Sequence, residues 1–185
     1  MSLCSHFSRL TDPRRKEGLR TSLESLLCMA TLGYLCGYIG YRGVARFSKA
    51  HSELFTQMFD LKHSIPSHVT FSAVFNQLDQ QELIAAFNAW VAESNLSPGE
   101  WVSADGKTLG STLVDPHGSG QNYQAVVSFF AQNSGLVHLI DTYQKKGKQE
   151  GEIKLVRRLV QQLQGMGLII CLDALHGPKK QLNVS

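Results

Sequence analysis

The sequence predicts a helical first part followed by an α/β part, and three observations carry that expectation. Apolar residues recur at helical spacing as far as Val91, Ser97-Pro98-Gly99 then interrupts the pattern, and the apolar runs beyond are short and extended. The expected domains are therefore a helical one over 1–97 and a second one over 98–185, which reads strand, strand, strand, helix, strand. With 185 residues, 43% of them hydrophobic and 18% charged, the chain has enough apolar side chains to bury a core and is not of disordered composition.

In the first part, Thr21 and Glu24 have the spacing of a capping box. Leu23, Leu26, Leu27, Ala30, Tyr34 and Cys36 follow at roughly helical intervals up to Gly37. A second helix is expected over 44–59, with Phe47, Leu54 and Phe55 inward and Arg42, Arg46 and Lys49 exposed. After Pro66, residues Phe71, Val74, Phe75 and Leu78 make an i, i+3, i+4, i+7 stripe with Thr70 as the expected cap. Asp79 and Glu82 start another helix, whose stripe is Leu83, Ile84, Phe87, Trp90 and Val91.

In the second part, strands are expected over 101–104, 124–131 and 136–143, with a Gly- and Ser-bearing link over 109–122 and a turn at Asn133-Ser134-Gly135. Residues 151–164 read as a helix, with Ile153, Val156, Leu159, Val160 and Leu163 on one face and Lys154, Arg157 and Arg158 towards water. The run 168–172 is continuously apolar, as in a central strand buried on both faces.

The net charge of +3 permits a nucleic-acid partner without requiring one. The four cysteines form no CxxC pair, and free thiols packing as small hydrophobes in a reducing, cytoplasmic setting are the expectation. No apolar signal-peptide core precedes the basic run Arg14-Arg15-Lys16, and the stretch 26–38 is too short and too interrupted to span a bilayer, so no membrane partner is expected.

Two aspartates stand at expected strand ends, Asp105 after 101–104 and Asp173 after 168–172. If those strands are neighbours, a right-handed crossover through the intervening helix makes them parallel and brings both carboxylates to one sheet edge. Two close carboxylates repel unless a divalent cation lies between them. Such a pair suits phosphoryl transfer on DNA, where two Mg²⁺ ions roughly 4 Å apart activate the attacking oxygen and stabilise the leaving one. Asp105-Gly106 is equally a hairpin signal, and a strand-end Asp such as Asp173 often caps a helix.

The strings Asp12-Pro13-Arg14-Arg15, Pro66-Ser67-His68-Val69-Thr70-Phe71, Ala104-Asp105-Gly106-Lys107-Thr108-Leu109 and Asp173-Ala174-Leu175-His176 occur in this order. Together they resemble the H-repeat-associated insertion-sequence transposases, a DDE family. The resemblance implies that the helical part precedes an RNase H-like catalytic domain beginning with three strands, a helix and a fourth strand. It implies catalytic and metal-binding roles for Asp105 and Asp173, with Mg²⁺ or Mn²⁺ as cofactor. Lys107, Glu152 and His176 match further family positions. Lys107 is a candidate phosphate contact or a solvated lysine, Glu152 a metal-site neighbour or a first-turn helix residue, and His176 a DNA contact or a hydrogen-bonded surface group.

The resemblance also has limits. Gly177-Pro178-Lys179-Lys180 departs from the family pattern, and no acid follows Asp173 to supply the third carboxylate of a DDE site. The expectation is therefore a C-terminally truncated transposase, inactive as it stands, binding DNA at element ends and associating with itself or with related transposases. The alternatives are an enzyme borrowing its third acid from another chain, a non-catalytic DNA-binding modulator, and a scaffold without stable folding. Arg14, Arg15, Lys16 and Arg20, then Lys145, Lys146 and Lys148, and finally Lys179 and Lys180 are candidate phosphate contacts or ordinary solubilising charges.

Overall fold

A computed structural model describes residues 2–17, 19–94, 96–109, 123–145 and 151–172. The chain divides into two compact units, Met1–Trp90 and Val91–Ser185. The first is built from α1 (Leu3–Phe7), α2 (Leu23–Leu35), α3 (Gly40–Ala50), α4 (Ser52–Phe59), α5 (His68–Phe75) and α6 (Gln80–Val91). The second contains β1 (Trp101–Thr108), β2 (Tyr123–Ala131), β3 (Leu136–Lys145), α7 (Gly151–Gln162) and β4 (Ile169–Leu172). The architecture is therefore α+β, as the change of period at Ser97-Pro98-Gly99 predicts.

The helical unit packs around α2, where Leu26, Leu27, Met29 and Ala30 are at most 2% exposed beside Val44, Phe47, Phe55, Phe71 and Val74. Burying each large apolar side chain contributes roughly 1.5–3 kcal/mol. The α2 helix can approach α3 closely because Gly33 has no side chain: a Cβ there would stand 3.3 Å from Phe47 Cδ1. Gly37 then turns the chain at φ 82°, in the left-handed region that favours glycine.

Several local expectations are corrected. The α2 cap is Ser22, whose Oγ accepts from the Ser25 amide at 3.1 Å, while Thr21 is buried and its carbonyl accepts from Arg14. Tyr34 and Cys36 at the end of α2 are exposed. The helix expected over 44–59 is two helices, broken where His51 leaves helical geometry at φ −110° and ψ 32°. Leu54 is exposed by that break, with Phe55 inward as expected. Ser67, not Thr70, precedes α5, and no side chain caps that helix.

Asp79 does cap α6, its Oδ1 accepting from the amides of Gln81 and Glu82 at 2.7 and 3.1 Å. Glu82 reaches the N-terminal segment instead of completing a capping box, accepting from the Thr11 amide at 2.8 Å and its hydroxyl at 3.0 Å. Cys4 and Cys28, expected as free thiols, are joined in a disulfide with their Cα atoms 6.0 Å apart, because the first turn of the chain packs on α2. Cys36 and Cys171 are free. Among the described residues no single helix is long and apolar enough to cross a membrane.

The second unit is a four-stranded sheet of order β3-β2-β1-β4. The β1–β2 and β2–β3 pairs are antiparallel, and β1 pairs with β4 in parallel. Val102, Ala104, Val127, Phe129 and Ala131 share one face and pack with Leu155, Val156 and Leu159 of α7 and with Leu163 just after it. Leu155, absent from the expected stripe, is 4% exposed. Asp141 of β3 and Arg158 of α7 form an ion pair. Residues 168–172 do not form a strand buried on both faces: within the described sheet β4 lies at an edge, because β2 occupies the other side of β1, and Ile169 is half-exposed. The link expected over 109–122 falls, from 110 onward, outside the described residues.

Candidate functional site

The face of the sheet opposite α7 carries the candidate carboxylate. Side chains alternate along a strand, so Val102 and Ala104 point to the core while Ser103, Asp105 and Lys107 point away from it. Asp105 is exposed, and among the described residues no hydrogen bond or ion pair occupies its carboxylate. Its cross-strand neighbour on β2 is Ser128.

The strand does not end at Asp105, as the Asp-Gly pair suggests it should. It continues through Lys107 and Thr108 in register with Val126 and Ala125, which removes the hairpin reading of Asp105-Gly106. The parallel partner is shorter: Ala104 stands opposite Leu172, the last described residue of β4. Asp105 therefore follows the final described rung of the β1–β4 ladder and is flanked by β2 on its other side. The second expected carboxylate, Asp173, directly follows Leu172 in the sequence and lies outside the described residues, as do His176, Lys146 and Lys148.

Lys107 is exposed two residues beyond Asp105 on the same face, at a spacing of about 7 Å along the strand. Glu152 belongs to the first turn of α7 and Lys145 ends β3, but their side chains fall outside the described residues. Among the described residues no group of three or more His, Cys, Asp or Glu side chains is placed to hold a metal ion.

The Asp12-Pro13-Arg14-Arg15 string forms a closed local latch. Arg14 Nε and Nη2 donate to the two Asp12 oxygens at 2.9 and 2.6 Å, the Arg14 amide donates to Oδ1 at 3.0 Å, and Nη2 also reaches the Thr21 carbonyl at 2.9 Å. The Arg14 side-chain hydrogen bonds hold the Asp12 carboxyl below its usual range, against partial desolvation. Arg14 is thus engaged within the protein, while Arg15 and Lys16 are exposed.

Sequence reasoning missed Glu100, which is 4% exposed at the foot of β1. Its carboxylate accepts from the Ser97 amide at 3.2 Å and the Ser134 amide at 3.1 Å, tying the chain before β1 to the β2–β3 turn. Desolvation pushes its pKa up, but the amides of Ser134, Ser97 and Asn133 and the imidazole of His138 prevail, and the net shift is downward. His138, 7% exposed, is shifted downward by burial, with Glu100 opposing. A single Glu before a strand carries no periodic signal, so only the fold reveals it.

Comparison with known proteins places these features in context. Residues 4–91 match the model of the DDE_Tnp_1-associated family, a transposase-associated domain. A protein described as uncharacterized, from the dhlA 3' region of Xanthobacter autotrophicus, is 32% identical over 106 residues, which cover 56% of this chain. The matched segment spans 36% of that relative's length.

Proposed function

We propose that this chain serves DNA transposition, with Asp105 and Asp173 as two carboxylate ligands of a divalent cation in an RNase H-like site. The observation that carries the reading is the parallel β1–β4 register, in which Ala104 stands opposite Leu172 and each is followed in the chain by an aspartate. Extending the ladder by one rung would set the two carboxylates on adjacent strands, Asp105 within β1 and Asp173 beside it, on the side where β4 ends and ligands bind in α/β sheets. The transposase-associated match over residues 4–91 supports the same reading from the other unit.

The exposed Asp105 carboxylate offers the hard oxygen donor that Mg²⁺ or Mn²⁺ requires. A bound cation of this kind supplies charge stabilisation to a phosphoryl group and lowers the pKa of an attacking water or hydroxyl. Asp105 would anchor it, and Lys107, on the same strand face, is positioned to meet a phosphate oxygen. His176 and Glu152 are accessory candidates. The resemblance implies three acids, of which Asp105 and Asp173 match two, and the DNA bound would be that of element ends. A second copy of the chain or a related transposase would be its protein partner on that DNA.

Titration of the full chain with Mn²⁺ tests the reading. Asp105→Asn and Asp173→Asn are each expected to weaken Mn²⁺ binding on the order of tenfold or more. Affinity unchanged in both variants would overturn the metal site. Nicking of an element-end duplex under Mg²⁺, abolished in Asp105→Asn, would instead establish a competent enzyme.

A further inference from the structure

The strongest unassigned feature lies in the helical unit. Arg42, Arg46 and Lys49 occupy the i, i+4 and i+7 positions of α3, opposite the buried Val44, Phe47 and Ser48. All three are exposed, and among the described residues none is paired with a carboxylate. They form one wall of a groove of about 750 Å³ whose other wall is the segment Ser64-Ile65-Pro66-Ser67 and the start of α5. Among the described residues no acidic side chain lines it.

Two further observations indicate an anionic ligand. The α5 helix begins in this groove at Ser67 and His68, and no side-chain hydrogen bond caps its first turn, so its amide donors and the positive end of its dipole remain uncapped there. Ser52 and Thr56 add hydroxyl donors from α4. On the far side of the 64–67 ridge a second hollow of about 260 Å³ is lined by Arg14, Arg20 and Thr70.

The dimensions select among anions. The basic stripe runs about 10 Å along α3 at 1.5 Å per residue, too long for one phosphate ion. It matches about three successive phosphates of one DNA strand at 3.4 Å of axial rise each.

We propose that this groove grips the sugar-phosphate backbone of duplex DNA, with Arg42, Arg46 and Lys49 neutralising successive phosphates and the α5 amino end meeting a further one. The assignment of DNA as the polyanion rests on the transposition reading above. Contacts of this kind position the protein on the duplex without reading its sequence.

The test uses the full chain and a fluorescent random-sequence duplex of about 25 bp, with anisotropy followed over a series of salt concentrations from about 50 mM. The triple variant Arg42→Ala/Arg46→Ala/Lys49→Ala is expected to lose affinity on the order of tenfold or more at the lowest salt. The slope of log Kd against log salt should fall by up to about 2.7, at 0.9 per lost phosphate contact. A Lys154→Ala/Arg157→Ala control, on the exposed side of α7, should leave both unchanged.

Wild-type affinity and slope in the triple variant would overturn the groove while leaving the transposition reading intact, since DNA would then be held elsewhere. Failure of the wild-type chain to bind duplex, or binding confined to single-stranded RNA or to vesicles of anionic phospholipid, would overturn the DNA assignment itself. If the triple variant loses its helical circular dichroism, the single exposed exchange Arg46→Glu is read by the same criteria.

Discussion

Glu100 illustrates how one side chain can secure a junction that sequence pattern does not mark. It is buried, acts only as an acceptor when ionised, and receives amides from both the approach to β1 and the β2–β3 turn. Its downward pKa shift means that the unfolded chain takes up a proton before the folded one does. Its contribution is therefore fully present above the ordinary carboxylate value of 4.5 and is lost as pH falls through the lower folded value. His138 acts in the same direction: with its folded pKa below 6.5, the unfolded state binds protons first as the medium is acidified. Thermal unfolding of the full chain followed from neutral pH to about pH 2 should therefore show falling stability in two steps, the first from His138 and the second from Glu100. In Glu100→Gln the lower step should disappear and the melting temperature at neutral pH should drop. An unchanged acid profile in that variant would refute the anchoring role.

At the scale of elements, the periods of apolar residues are the readable part, and ends are not. The stripes Phe71/Val74 and Val156/Leu159/Leu163 are buried as their spacing predicts, because each helix has one face to hide. The α2 cap lies one residue beyond Thr21 because Thr21 and Ser22 both suit the role, and Arg14 takes the Thr21 carbonyl while Ser22 Oγ accepts from the Ser25 amide. Ser22→Ala should therefore destabilise the helical unit by about 1 kcal/mol in urea unfolding. Thr21→Ser should leave the cap intact, and an equal loss in both would return the cap to Thr21. The continuation of β1 beyond Asp105 was hidden for a different reason. Asp-Gly is a local turn signal, and it is overridden by the remote partner β2, whose residues Ala125 to Ser128 extend the ladder. The candidate site was thus half legible: Asp105 could be named from its place after an extended run, but not its position inside a strand. The groove beside α3 was less legible still, since Arg42, Arg46 and Lys49 read only as a solvated stripe until the 64–68 segment closes on them.

For the whole molecule, the two units differ in how their contacts are distributed along the chain. Much of the helical unit joins neighbours in sequence, such as α1 with α2 and α2 with α3, although α3 also meets α5 and Thr11 reaches Glu82. The sheet depends on a β1–β4 pairing in which Val102 meets Ile170, across more than a third of the chain. Rates of folding follow this separation, with local helical contacts forming in microseconds to milliseconds and remote strand pairs more slowly. Stopped-flow refolding of a Trp90→Phe variant, which leaves Trp101 as the single tryptophan, is expected to give a fast phase in helical circular dichroism followed by a slower phase in Trp101 fluorescence, and a single common rate for both signals would disprove the separation. Translation gives the same asymmetry a direction. The helical unit is complete while β4 is still unmade, and β1 waits on the ribosome with one edge satisfied by β2 and the other bare. Until residues 169–172 emerge, that edge is a row of unfilled amides and carbonyls open to any extended segment nearby. The newborn chain is therefore most prone to clumping in the interval before its last described strand is synthesised, and chaperone shielding is most valuable there.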